Sequence, residues 1–395
     1  MIFFLIIGFG YGFSSAITAL LGNALGKRRY KLASIYAHKG LFFVPLIGLS
    51  LSILGFFFAP SLFILLGAKE EYLQISLDYI NPILFGAVFF MFNFSLNSIL
   101  VATGDTKTYR NSLIFGFFAN LVFNPLFMYG FLFIPAMGIK GIAIATVLIQ
   151  VINMFYLFYK VLQTKLINLE KYEYFLPNIR VYKQFLIQGI PSSLNMLTMA
   201  IGSLILTYFV SHYGMYAVAG FGIGYRVEQL MLLPALGLST AVLSLVSNNY
   251  GAKKYDRVIE TVKISIKYGF FISTIGIIIL TIFGKFIISL FDSNSVVINF
   301  GVDFLLIEIW IFYAYVILFI CVSTLQAIKQ PKMIMYIGIY RQIVAKLIIS
   351  YLIVKYFELD FVYLWFGILF MIYSAAIFAY FYTNRLLKEI LNKSL

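Results

Sequence analysis

Five ionisable side chains lie inside apolar runs in the second half of this chain: Arg226, Glu228, Glu308, Arg341 and Lys346. A charge at the centre of an apolar helix costs at least about 2.5–3.5 kcal/mol, so such residues are functional candidates by default. A buried carboxylate can exchange a proton or hold a cation, and it can equally form a structural ion pair between helices. The sequence leaves these two interpretations evenly balanced.

Aromatic residues lie beside the charges in the sequence. Four of them could offer ring faces to an organic cation: Tyr225, Trp310, Tyr313 and Tyr315. Ordinary helix packing is the more common role for any single ring. The candidate substrate-binding residues are Tyr225, Trp310, Tyr313, Arg226, Arg341 and Lys346. Glu228 and Glu308 are candidate cation-binding residues.

The remaining reactive residues do not form a catalytic pattern. The chain has one cysteine, Cys321, and two histidines, His38 and His212, which lie in different parts of the sequence. A disulfide framework, a metal cluster and a catalytic dyad are therefore not expected. The sequence contains no Gly-x-x-x-x-Gly-Lys-[Ser/Thr] run, so a nucleotide-binding site of that type is not expected. We expect neither enzymatic activity nor a bound cofactor.

The composition indicates that the segments containing these residues lie in a membrane. The chain is 62% hydrophobic and only 11% charged, with a mean hydropathy of +0.96. Soluble domains carry roughly 25% charged residues, so lipid must be the main solvent of this chain. Eleven runs are long enough to span a bilayer, at about 1–26, 38–67, 76–102, 112–134, 138–160, 184–211, 216–248, 262–291, 297–327, 333–357 and 361–384.

Two stretches 225 residues apart repeat one pattern, Leu20-LGNALGKRRYK and Leu245-VSNNYGAKKYDR. The same offset still holds where Lys107 matches Lys332. A register kept over such a length indicates a duplicated unit. Met1 corresponds to Arg226, so the first copy is expected to lack its opening helix, leaving eleven of twelve.

Lysine and arginine predict the orientation. If the first run crosses from outside to inside, 22 of the 29 lysines and arginines lie in inner loops and the tail. Four lie in outer connections: Lys69, Lys140, Lys285 and Lys355. The positive-inside topology therefore explains the net charge of +14, and nucleic-acid binding is not needed to explain it. The C-terminus is expected in the cytoplasm. An even number of helices between equivalent points predicts that the two repeats are parallel.

A long polar connection divides the chain. We expect an N-terminal lobe over residues 1–162, a cytoplasmic linker over 163–183 and a C-terminal lobe over 184–395. The predicted fold is an all-α integral membrane protein built from two six-helix bundles.

The sequence resembles the multidrug and toxic compound extrusion (MATE) family. The similar segments are the Gly-[basic]-Tyr loop of each half, Thr103-GDTKT, Gln326-AIKQPK, Asn120-LVFNPLFMYG with Gly138-IKGIAIAT, and Gly189-IPSSL. Each segment alone is weak, but their order and spacing match the family over the whole chain.

The resemblance implies a site for the coupling cation in the first lobe. In family members that bind the cation there, an Asn-x-x-x-Asp pair works with a threonine and an acid on the first helix. Here the pair reads Asn120 and Asn124, and Thr146 fits the threonine. An amide oxygen can coordinate Na⁺ but cannot exchange a proton at physiological pH.

The resemblance further implies a secondary antiporter that exports organic, cationic compounds across the bacterial inner membrane in exchange for H⁺ or Na⁺, by alternating access. The expected partners are a small-molecule substrate and the lipid bilayer, and the chain is expected to act as a monomer. Two alternatives stay open, a flippase for a lipid-linked saccharide and a non-functional transporter fragment.

Overall fold

The computed structural model describes residues 2–65, 67, 69–131, 134–168, 170, 174 and 176–392. Long α-helices dominate the described part of the chain. They are α1 (Ile2–Gly26), α2 (Tyr30–Leu65), α3 (Glu70–Ala102), α4 (Lys107–Tyr129), α5 (Gly138–Gln163), α6 (Ile179–Val210), α7 (Met215–Gly251), α8 (Tyr255–Ser289), α9 (Ser295–Glu308), α10 (Ile311–Ala327), α11 (Pro331–Ile339), α12 (Ala345–Tyr351) and α13 (Phe361–Asn392).

The number of spans agrees with the apolar runs of the sequence. Among the described residues, ten helical stretches are long and apolar enough to cross a bilayer, and α9 with α10 makes an eleventh if the bent pair is one span. One of the ten, Pro331–Tyr356, contains α11 and α12 with a π-helical turn after each, at Tyr340–Val344 and Leu352–Tyr356. The prediction of an all-α membrane protein is confirmed.

The run predicted as one helix over 297–327 is broken in the structure. α9 ends at Glu308, α10 begins at Ile311, and the two axes differ by 54°. The sequence has neither proline nor glycine at the break. The Tyr373 hydroxyl donates to the Trp310 carbonyl oxygen at 2.8 Å, which satisfies a backbone acceptor exposed by the break. This stabilising contact comes from α13 and is invisible to local sequence patterns.

The duplication is visible in the backbone of equivalent loops. α1 and α7 end at Gly26 and Gly251, which are 225 residues apart. The loops that follow place Arg28 and Lys253 at positive φ, 56° and 60°. Such angles are uncommon for residues other than glycine, so their recurrence at one offset indicates a shared loop geometry.

The second pair of equivalent loops repeats in the same way. Gly104 and Lys329, again 225 residues apart, have φ of 91° and 65°. The next amide closes the helix end in both copies, from Asp105 to the Leu100 carbonyl at 2.9 Å and from Gln330 to the Leu325 carbonyl at 2.8 Å. Each copy therefore ends its helices with the same capping bonds.

The chain divides into two compact units, residues 1–193 and 194–395, with the division inside α6. In the first unit, α1, α2 and α3 pack around buried side chains such as Phe13, Leu21 and Met91. In the second, Trp365 is fully buried against Phe221 and Phe304. The lobe and linker bounds expected from the sequence remain a proposal.

Side chains of α2 fix the polar connection after α5. The Ser34 hydroxyl donates to the Leu166 carbonyl oxygen at 2.7 Å, and His38 Nε2 accepts from the Asn168 amide at 3.1 Å. Lys39 donates to the Leu176 carbonyl oxygen. Two of the cations used to predict topology, Lys171 and Lys393, lie outside the described residues.

Candidate functional site

The second unit brings together four of the five intramembrane charges. Glu228 comes from the middle of α7, Glu308 from the last residue of α9, Arg341 from the π-helical turn after α11, and Lys346 from α12. Their exposed fractions are 3%, 2%, 5% and 6%. All four are therefore removed from both lipid and bulk water. We call these four residues the charge cluster.

The π-helical turn gives Arg341 and its neighbours their placement. π-Helical turns insert into α-helices as single turns and frequently occur at functional sites. Gln342 follows Arg341 in this turn and is 3% exposed. Lys346 lies four residues further on and donates from Nζ to Gln342 Oε1 at 2.8 Å. The amide thus holds the ammonium on one side of the cluster.

Opposite charges in the cluster lie near one another without closing into direct pairs. Among the described residues, the only ion pair with a nitrogen and an oxygen within 4.0 Å joins Arg385 and Glu389, two exposed side chains near the C-terminal end of α13. Glu308 Oε1 and the Arg341 Nε and Nη1 atoms are buried and have no hydrogen-bond partner in the described part of the chain. A cluster built only to tie helices together would be expected to satisfy these atoms.

Arg341 is instead associated with an aromatic ring. Its guanidinium carbon lies 5.2 Å from the centroid of the Tyr315 ring on α10, within the range of a cation–π interaction. Tyr315 is itself buried, at 8% exposed. This contact partly compensates the guanidinium for its lost hydration.

A cavity of about 20 Å³ lies between the acids and the ammonium. Its polar lining is Tyr225, Glu228, Glu308, Tyr315, Gln342 and Lys346, and Phe221, Phe304 and Trp365 contribute to an apolar wall. A volume of this size holds about one water molecule when polar partners are present. The cavity can therefore hold a water or a small ion, and it is too small for an organic substrate.

Three candidates from the sequence lie outside the cluster. Arg226 is exposed, because two residues along a helix place its side chain far around the axis from Glu228. Trp310 lies at the break between α9 and α10 and is half exposed. The Tyr313 hydroxyl shares a hydrogen bond of 2.9 Å with Thr274. Among the aromatic residues that the sequence singled out, Tyr225 and Tyr315 line the cavity.

The first-lobe candidates lie on α4 and α5. Asn120 Nδ2 donates to the Gly116 carbonyl oxygen at 2.9 Å, and Thr146 Oγ1 donates to the Ile142 carbonyl oxygen at 3.0 Å. The Asn124 Oδ1 atom is buried and has no hydrogen-bond partner among the described residues. This arrangement leaves oxygen atoms available on all three side chains, as a cation ligand requires.

The site contains residues that the sequence did not single out. Gln342 stands four residues before Lys346, a spacing that brings helical side chains together and could have indicated the pair. Gly202 on α6 had no such signal. A Cβ atom at Gly202 would lie 2.4 Å from Gln342 Oε1 and 3.1 Å from Lys346 Nζ.

The sequence and the architecture of this chain match those of known proteins. The MatE family model matches residues 1–126 and 191–352, which is most of the chain. This chain belongs to the MatE family. It is a multi-pass membrane transporter and not an enzyme.

Among its MATE relatives, the chain is 28% identical to the probable multidrug resistance protein YoeA of Bacillus subtilis over 78% of this chain and 67% of the relative. It is 26% identical to a FAD transporter of Shewanella oneidensis, over 85% of this chain and 74% of that one. A solved outward-facing multidrug resistance MATE transporter of the MOP superfamily matches with a TM-score of 0.91 and 25% identity, over 99% of this chain and 86% of that structure.

Proposed function

We propose that this MATE transporter is a secondary antiporter that exports organic cations across the bacterial inner membrane in exchange for H⁺ or Na⁺, by alternating access. The name of its Bacillus relative, a probable multidrug resistance protein, supports the export of organic compounds. The observation that carries the proposal is the pair of buried carboxylates, Glu228 and Glu308, which border one cavity and lack a direct ion-pair partner among the described residues. The transporter acts as a monomer with its C-terminus in the cytoplasm.

Glu228 and Glu308 bind the coupling ion in this proposal. Two carboxylates that share a desolvated cavity repel one another when both are ionised, so binding a proton or another cation relieves that repulsion. The two acids lie on different helices, Glu228 on α7 and Glu308 at the C-terminal end of α9. A change in ion occupancy can thus alter the packing of these helices, which is what exchange requires.

The test is export of a fluorescent cationic dye from an efflux-deficient bacterium that expresses the chain. We expect lower dye accumulation than in cells with an empty vector, and loss of that difference when the ion gradients are dissipated. Glu308→Gln keeps the size of the side chain and removes its charge, so it should weaken export with normal insertion. Glu260→Gln, at an exposed position on α8, is the matched control.

The name of the Shewanella relative, a FAD transporter, raises FAD as an alternative substrate. In the charge cluster, Arg341 and Lys346 are matched by Glu228 and Glu308, so the cluster has no excess positive charge to offer an anionic substrate. We therefore expect export of cationic dyes and not of FAD. A well-expressed chain that leaves the whole dye panel unaffected but moves FAD, or a lipid-linked saccharide, would contradict the proposal.

A further inference from the structure

The acidic and basic side chains of the charge cluster are equal in number. It contains two carboxylates and two basic groups, so its formal charge is zero when all four are ionised. The two bases are placed differently. Arg341 does not contribute to the cavity lining and lies against the Tyr315 ring, whereas Lys346 borders the cavity together with Glu228 and Glu308. The basic group that shares the cavity with both acids is therefore Lys346.

The Lys346 ammonium borders the cavity without direct contact to either carboxylate. One of its three donors is used by Gln342 Oε1 at 2.8 Å. In the part of the chain that the structure describes, no carboxylate oxygen lies within 4.0 Å of Nζ. Glu308 and Glu228 attract the ammonium electrostatically, and Arg341 repels it. Tyr225 on α7 and Tyr315 on α10 are the other titratable groups lining the cavity.

We propose that Lys346 is the resident cation of this site, a tethered ammonium that supplies to Glu228 and Glu308 the positive charge that a sodium ion would otherwise bring, so that the second unit excludes Na⁺. A role of these two acids in ion exchange rests on the proposed antiport function. The exclusion of Na⁺ does not, because it follows from the net charge of the cluster.

Charge balance explains the exclusion. A sodium ion added to the neutral cluster would leave a net buried positive charge, which is unfavourable in a region of low dielectric. The cavity of about 20 Å³ holds one water-sized particle. Replacing the ammonium by a neutral amide reverses the balance, because the cluster then carries one net negative charge and gains an oxygen ligand. A proton or a sodium ion can neutralise that charge.

The experiment titrates the purified full-length transporter with NaCl against choline chloride at constant ionic strength and follows its Tm. We expect no Na⁺-specific shift in the parental protein. Lys346→Gln should gain a saturable rise in Tm of at least about 2 °C, because a ligand that binds only the folded state stabilises it. Lys346→Gln combined with Glu308→Gln restores neutrality and should lose this response.

Lys355→Gln is the matched control, since it makes the same exchange at an exposed position on the following π-helical turn. It should respond to Na⁺ no more than the parental protein does. A saturable Na⁺-specific shift in the parental protein would overturn the proposal, and this measurement requires no variant. A folded Lys346→Gln protein without any Na⁺ response would overturn it as well. Because the titration contains no substrate, a failure of dye export would count against the proposed function alone.

Discussion

The close approach of α6 to the charge cluster gives a quantitative prediction for Gly202→Ala. A Cβ atom at this position would lie 2.4 Å from Gln342 Oε1 and 2.9 Å from the Gln342 carbonyl oxygen, whereas ordinary contacts begin at 3.4 Å. The side-chain amide would have to withdraw by about 1 Å. That displacement breaks the hydrogen bond of 2.8 Å to Lys346 unless the ammonium moves too.

The expected cost follows from three contributions. Loss of a hydrogen bond to a charged group costs about 1.5–3 kcal/mol. The backbone carbonyl cannot swing away as the side chain can, so overpacking against it adds about 1–3 kcal/mol. Alanine regains up to about 1 kcal/mol of helix propensity relative to glycine. We expect Gly202→Ala to lower the free energy of unfolding by roughly 1.5–5 kcal/mol.

Thermal unfolding of the purified protein in detergent, with tryptophan fluorescence as the readout, measures this change. Gly222→Ala on α7 is the matched control, because its Cβ would meet nothing within 4 Å outside its own helix. It should be neutral or slightly stabilising. In a Gln342→Ala background the cost of Gly202→Ala should shrink, since the displaced amide is absent. Equal Tm values for Gly202→Ala and the parental protein would refute the close packing on which the site depends.

Two further predictions concern residues outside the spans. Cysteine labelling at Lys69 should succeed from outside the cell and at Lys254 only after permeabilisation, as the positive-inside distribution requires, and the opposite pattern would reverse the topology. Asp105 caps α4 by accepting the Thr108 amide at 3.0 Å and its hydroxyl at 2.5 Å. Burial opposes ionisation of Asp105, but the Thr108 hydrogen bonds hold the pKa of this carboxyl below its usual value. This stabilisation is present above the unfolded pKa of about 3.9 and is lost as pH falls through the folded pKa. Asp105→Asn keeps an oxygen acceptor at this position but removes the titrating charge. It should therefore show less loss of Tm on acidification than the parental protein, and an unchanged acid profile would contradict the assignment.

Some features of this protein follow from the sequence because they are imposed locally. The bilayer demands about 20 apolar residues per helix, so the spans can be counted without a structure. The duplication can be recognised in the sequence because loops of the same geometry need the same residue types, as at the helix ends Gly26 and Gly251. Glu228 and Glu308 were identifiable since a carboxylate inside an apolar run is retained only for a strong reason.

The composition of the site, in contrast, was decided by tertiary structure. At the break after Glu308 a hydroxyl from α13 donates a hydrogen bond to the backbone, and the approach of α6 depends on a missing Cβ at Gly202. Helix rotation separates Arg226 from Glu228, although they are two residues apart in the chain. Which charges face one another therefore depends on contacts between distant segments, and no local pattern in the sequence encodes these contacts. The sequence could identify the charged residues, but only packing of the helices determines that Lys346, and not Arg226, shares a cavity with the two acids.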